Sequence, residues 1–174
     1  MEADGEGGLK VTEEHIGRLL DKYGDTVVRI AYTYLKNMPD AEDVVQDLFL
    51  KIMEKNPEFN DAEHEKAWMI RATINLCKSR LTTFWNRNKQ PLEEAPDFGV
   101  YDTYQTDRTV LDAVLSLPDK YRIAVYMHYY EGYKTADIAK LTKEKESTVR
   151  SNLHRARNKL KIMLKEEYDF EQEI

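Results

Sequence analysis

Residues 133–164 read YKTADIAKLTKEKESTVRSNLHRARNKLKIML, and this stretch constrains the fold more than any other. Ile138, Ala139 and Leu141 mark one short amphipathic helix. After a polar break, Val149, Leu153, Ala156 and Leu160 recur at spacings of four, three and four, so they share one face of a second helix. Arg150, Ser151, His154 and Arg155 lie off that apolar stripe, and their spacing also lets them share a face. A face of cations and hydroxyls on the second helix of a pair predicts a helix-turn-helix that reads DNA. A surface helix whose charges only solvate it is the plainer alternative at this point.

The net charge of −6 argues against a nucleic-acid binder until it is divided along the chain. Residues 67–90 contain five Lys or Arg and no acid, and residues 118–165 contain twelve against five acids. Residues 1–66, 91–117 and 166–174 are net acidic. Two basic blocks that attract phosphate therefore sit between acidic blocks that repel it. The single cysteine, Cys77, excludes an internal disulfide and suits a reducing compartment. The four histidines are scattered and form no metal-ligand spacing with it. No apolar run is long enough to span a bilayer, and the acidic, Gly-rich residues 1–10 do not read as a signal peptide, so a cytoplasmic protein is expected.

Helical periodicity runs through the rest. Thr12 is a suitable cap for a helix bearing Ile16, Leu19, Leu20 and Tyr23, with an interruption expected at Gly24 before Val27, Val28, Ala31, Tyr34 and Leu35 resume the pattern. Asp40 is expected to cap a second helix, with Val44, Val45, Leu48, Phe49, Ile52 and Met53 as its stripe and Asn56-Pro57 as its end. Residues 59–65 read as a polar loop, followed by a third helix over about 66–85. The pattern then fails in an acidic stretch with two prolines and Gly99. Beyond it come a short helix around Val110, Val114 and Leu115, a helix begun by Pro118 and closed by Gly132, the helix-turn-helix, and an acidic tail expected to fray. The fold class is all-α: a helical domain over 1–89, an acidic linker over 90–109 and a second helical domain over 110–174, their relative placement not fixed by the chain itself.

Three segments in this order resemble a known family. DAEDVVQDLF at 40–49, AWMIRATIN at 67–75, and LPDKYR at 117–122 with YEGY at 130–133 and TVRSNLHRAR at 148–157 are similar to the extracytoplasmic-function sigma factors, promoter-recognition subunits of bacterial RNA polymerase. The resemblance covers roughly residues 16–164. It implies that Asp43, Gln46 and Asp47 meet the clamp helices of the polymerase core. It implies that Asn75 lines a pocket for an extruded base of the minus-ten element, beside the loop 59–65. Arg71, Lys78, Arg80, Arg87 and Lys89 would hold phosphates, and Trp85 offers a ring for stacking. Arg150, Ser151, His154 and Arg155 would face the minus-thirty-five element, with Arg157, Lys159 and Lys161 on its backbone. Trp68 is expected in the core.

The same resemblance implies an anti-sigma factor as a further partner, no cofactor, no catalytic residue and no metal site. Two departures stand out. The turn 142–146 lacks the glycine usual there, and Asn152 replaces a frequent basic residue, which weakens one expected backbone contact. A stand-alone helix-turn-helix regulator is the alternative, and a decoy that binds polymerase without DNA is a third reading.

Overall fold

The computed structural model describes residues 13–87 and 108–171, with side chains over 14–84 and 110–165. Among the described residues all regular structure is helical: α1 (Glu13–Leu35), α2 (Met38–Lys55), α3 (Ala62–Arg87), α4 (Arg108–Ser116), α5 (Asp119–Val125) continued by a π-helical turn (Tyr126–Tyr130), α6 (Thr135–Thr142) and α7 (Glu146–Glu171). Thr12 and most of the linker lie outside these residues.

Local chemistry sets the boundaries, and several differ from the sequence expectation. Helix α1 runs through Gly24 without a break, because Tyr23 and Val27 on either side are both buried. That burial exceeds the roughly 1 kcal/mol a helical glycine costs. The cap of α2 is Asn37, not Asp40: the Asn37 side chain accepts from the Asp40 N–H at 2.9 Å. Asn56, with φ 42°, ends α2 in the left-handed region. Helix α3 starts four residues before its expected start, since the Asp61 carboxylate accepts from the His64 N–H at 2.7 Å. Glu63 and Glu65 thus fall in its first turn, where carboxylates favour the helix dipole. Helix α7 continues to Glu171 through the stretch expected to fray; no Gly or Pro interrupts it.

Two apolar clusters hold the helices. One belongs to α1–α3 alone and joins Leu19, Tyr23 and Val27 to Leu48, Ile52 and Met69. The other spans both halves of the chain, joining Ile30, Tyr34, Val44, Ile74 and Cys77 to Leu117, Ile123, Met127, Leu141 and Leu153. The halves are therefore packed on one another rather than left independent, contrary to the sequence expectation.

Each half also supplies a cation that caps a helix of the other. Arg122 of α5 is only 1% exposed. It donates to the carbonyls of Thr33 and Tyr34, which lie at the end of α1 and have no partner within that helix. Its remaining donors serve the Leu117 carbonyl at 2.7 Å, the Leu115 carbonyl at 3.3 Å and the Asp119 carboxylate at 2.6 Å. In return, Lys78 of α3 donates to the carbonyl of Thr142, the last residue of α6, at 2.7 Å. Cations are favoured at both places because a helix C-terminus bears partial negative charge.

Candidate nucleic-acid and polymerase interfaces

Within the helix-turn-helix, α6 ends on Lys143, which adopts φ 58° without being glycine. The Glu144 N–H bonds back to the Ala139 carbonyl at 2.9 Å, closing the turn despite the strain. The two helices are then tied at their N-terminal ends. Glu146 accepts from the Thr135 hydroxyl at 2.8 Å and from Arg150 Nη2 at 2.7 Å. Those two bonds, Thr135 first, hold the Glu146 carboxyl below its ordinary pKa. The carboxylate thereby links α6 to α7 while its side chain stays 39% exposed.

Val149, Leu153 and Ala156 are buried, and Arg150, Ser151, His154, Arg155 and Arg157 are exposed, as their spacing predicts. Asn152 is different. It is 4% exposed and faces the core, so it cannot stand on the DNA side as expected. Its position one residue before Leu153 and three after Val149 puts it on the apolar side of the helix.

Helix α3 separates its expected DNA residues. Arg71, Asn75 and Lys78 follow at four and three, on one face; Arg71 and Lys78 are exposed and Asn75 is half-buried. Arg80 lies nine residues from Arg71, two and a half turns on, and so points the opposite way. It meets α2, where its Nη2 lies 2.6 Å from Asp47 Oδ2 and its Nη1 3.6 Å from Asp43 Oδ2. The hydrogen bond to Asp47, ahead of the charges of Asp47 and Asp43, raises the guanidinium pKa. The sequence grouped Arg80 with DNA; the structure pairs it with the acidic face expected to meet polymerase. Lys78 is likewise committed to the contact between the halves. The side chains of Trp85, Arg87 and Lys89 lie outside the described residues.

On α2, Asp43 and Gln46 are exposed and Asp47 is half-buried beside Arg80. The loop before α3 is shorter than expected. Phe59 packs edge-on against Trp68, ring centroids 5.7 Å apart, and against His64 at 5.9 Å. Trp68 is half-buried against the first cluster. Glu65 has left that loop altogether: it is 8% exposed and accepts from Tyr23 Oη at 2.9 Å and Lys22 Nζ at 2.8 Å. Burial alone would raise its pKa, but these two hydrogen bonds outweigh it and hold the carboxyl below its ordinary value. Cys77 is fully buried, and desolvation pushes its thiol up to about 12.

The structure adds residues that the sequence reading passed over: Arg122 at the seam, Thr135 tying the two helices, and Tyr129 beside Arg157. Helix-end carbonyls leave no mark in a sequence, so the LPDKYR segment contains Arg122 without showing what it holds. Among the described residues no group of three or more His, Cys, Asp or Glu could hold a metal ion, and no helix is long and apolar enough to cross a membrane.

The family model for sigma-70 region 2 matches residues 19–87, and that for sigma-70 region 4 matches residues 107–160. The sigma factor SigM of Mycobacterium tuberculosis, of the extracytoplasmic-function type, is 30% identical over 139 residues, 78% of this chain and 70% of SigM. The chain belongs to the extracytoplasmic-function sigma factors. SigV of Bacillus subtilis is 27% identical over 146 residues, covering 80% of this sigma factor and 84% of SigV. Its fold is that of RpoE of Bartonella quintana, solved in complex with the anti-sigma factor NepR: TM-score 0.72 and 21% identity, over 87% of this chain and 98% of that one. An alternative sigma factor directs promoter-specific transcription initiation, and this reading displaces the stand-alone regulator.

Proposed function

We propose that this sigma factor divides its work between two faces: α2 binds the polymerase core through Asp43, Gln46 and Asp47, and α7 reads the minus-thirty-five element through Arg150, Ser151, His154 and Arg155. The observation that carries this is the exposed polar face of α7, held at a fixed angle to α6 by the Thr135–Glu146 bond. Arginine forks suit guanine edges, and serine serves a base or a phosphate. Arg71 and Asn75 on α3 contact the minus-ten element, with Lys78 joining them once it leaves Thr142. The regions that do this work are residues 1–89 and 110–174, with 90–109 as the linker.

The chain contributes no catalytic step; the polymerase supplies the chemistry, in the cytoplasm. A protein inhibitor regulates it, in line with the complex solved for RpoE.

Holding both promoter elements requires the seam to open. Duplex DNA rises about 3.4 Å per base pair, so elements centred near positions ten and thirty-five lie on the order of 85 Å apart. A compact chain of this length has a radius of gyration of about 16 Å. Polymerase binding draws the halves apart and releases Lys78.

Co-elution with purified core polymerase on a sizing column tests the first face. The wild type is expected to co-elute, and Asp43→Ala/Gln46→Ala to fall away. Undiminished co-elution of the double variant would remove α2 from the polymerase interface.

A further inference from the structure

Tyr129 is 55% exposed, unusual for a large aromatic side chain with no role in the core. The π-helical turn explains how it comes to be there. Its bonds close five residues apart, as in Glu131 N–H to Tyr126 carbonyl at 3.1 Å, so the turn holds one residue more than an α-helix would. Met127 keeps its place in the core while Tyr129 is swung outward toward α7. There Arg157 Nε donates to Tyr129 Oη at 2.6 Å, and the guanidinium carbon lies 5.6 Å from the centre of the ring. His128 packs edge-on against the same ring at 4.9 Å and is itself fixed by a 2.9 Å bond between Nδ1 and the Tyr133 carbonyl.

Arg157 lies seven residues, almost two turns, beyond Arg150, on the side of α7 nearest the π-helical turn. The N-terminal residues of a recognition helix enter the major groove; positions farther along and to one side meet the backbone that borders it. With Nε given to Tyr129, the two Nη groups of the exposed Arg157 are the donors left for a ligand. The Tyr129 oxygen receives one hydrogen bond and still has its own O–H to give.

We propose that Tyr129 and Arg157 form one phosphate-binding unit at the border of the minus-thirty-five interface, Tyr129 acting as the positioning residue and adding its hydroxyl as a further donor. This rests on the reading of α7 as the minus-thirty-five helix. The ligand is a backbone phosphate of duplex DNA, so the unit adds affinity without sequence preference.

The test uses holoenzyme assembled from core polymerase and the full chain, and a duplex taken from a template that the wild type transcribes. Dissociation constants are measured across a salt series. Tyr129→Phe keeps the ring and removes the hydroxyl. It is expected to weaken binding about three- to tenfold, with the salt slope unchanged and thermal stability unaltered. Arg157→Ala is expected to lower the salt slope by about one. In the Arg157→Ala background Tyr129→Phe loses most of its effect, because the two act through one contact. Wild-type binding by Tyr129→Phe, or an equal loss with and without Arg157, overturns the proposal while leaving the role of α7 intact. A wild-type holoenzyme that binds equally well with the minus-thirty-five element scrambled overturns that role, and the proposal with it.

Discussion

The cations of α3 and those of α7 are equally conspicuous in sequence and differ in what they meet. On α7, Arg150, Arg155 and Arg157 stand on the exposed side of a helix whose other side is buried; Arg150 bonds to Glu146 one turn before it and Arg157 to Tyr129, and all three remain exposed. On α3, Arg80 is bound to Asp47 and Lys78 to the end of α6. The cations of α7 thus stay exposed while bonded within their own half, whereas α3 commits Lys78 to the other half and Arg80 to α2. Where a cation's acceptor lies decides what it holds together: a helix end or a carboxylate on another helix joins elements, whereas a carboxylate one turn away on the same helix does not.

The sharpest way to break this comparison is at the seam. Arg122→Ala leaves three buried carbonyls, the part-buried Leu115 carbonyl and the Asp119 carboxylate without this donor. A loss of about 3–5 kcal/mol in urea unfolding is expected. A loss below about 1 kcal/mol would mean that the halves do not depend on each other. Glu65→Ala acts within the first half and is expected to cost about 1–2 kcal/mol by leaving the Tyr23 hydroxyl only its long 3.5 Å bond to the Ala62 carbonyl.

Glu65 also fixes a pH response. Its folded pKa lies below its ordinary value of 4.5, so its contribution is complete above that value and is lost as pH falls through the lower, folded value. Unfolding midpoints followed downward from pH 5 should decline in the wild type and decline less in Glu65→Gln. Equal slopes would show that the network does not sustain the charge.

Lys143→Gly is expected to stabilise the helix-turn-helix by about 1 kcal/mol, since glycine takes a positive φ without strain. A lower melting temperature would mean that the lysine side chain makes a compensating contact. The smallest change sharpens the comparison on α3. Arg80→Ala removes a partly exposed ion pair and should cost no more than about 1 kcal/mol of stability. It also frees Asp43 and Asp47, so affinity for polymerase core should hold or rise, while Arg71→Ala should weaken promoter binding only. Loss of core binding in Arg80→Ala would make the arginine itself a polymerase contact.

Much of this was legible in the sequence. The stripes of α2 and α7 predicted most of the buried residues, because helical spacing fixes the face, but Met53 at the edge of the α2 stripe is 56% exposed. Gly132, with φ 74°, lies where the sequence placed a helix stop, and Asn56-Pro57 ends α2 as expected. The partners of the stripes were not legible: an apolar face does not say what it packs on, so the cluster shared by Tyr34, Ile74, Ile123 and Leu141 could not be foreseen. The site divides the same way. The exposure of Arg150 and His154 follows from their spacing, whereas the pairing of Arg80 with Asp47 depends on helical phase, which proximity in sequence does not give. The π-helical turn that swings Tyr129 outward depends on hydrogen-bond register, which composition does not encode.

Run-off transcription tests the central claim most directly: purified core polymerase, with and without this protein, on genomic promoter fragments. New discrete transcripts should appear with the wild type, and should vanish with Asp43→Ala/Gln46→Ala and, separately, with Arg150→Ala/Arg155→Ala. Transcripts unaffected by either pair would contradict the two faces assigned here. An absence of transcripts on every template, with specific duplex binding by the chain alone, would contradict initiation as its function.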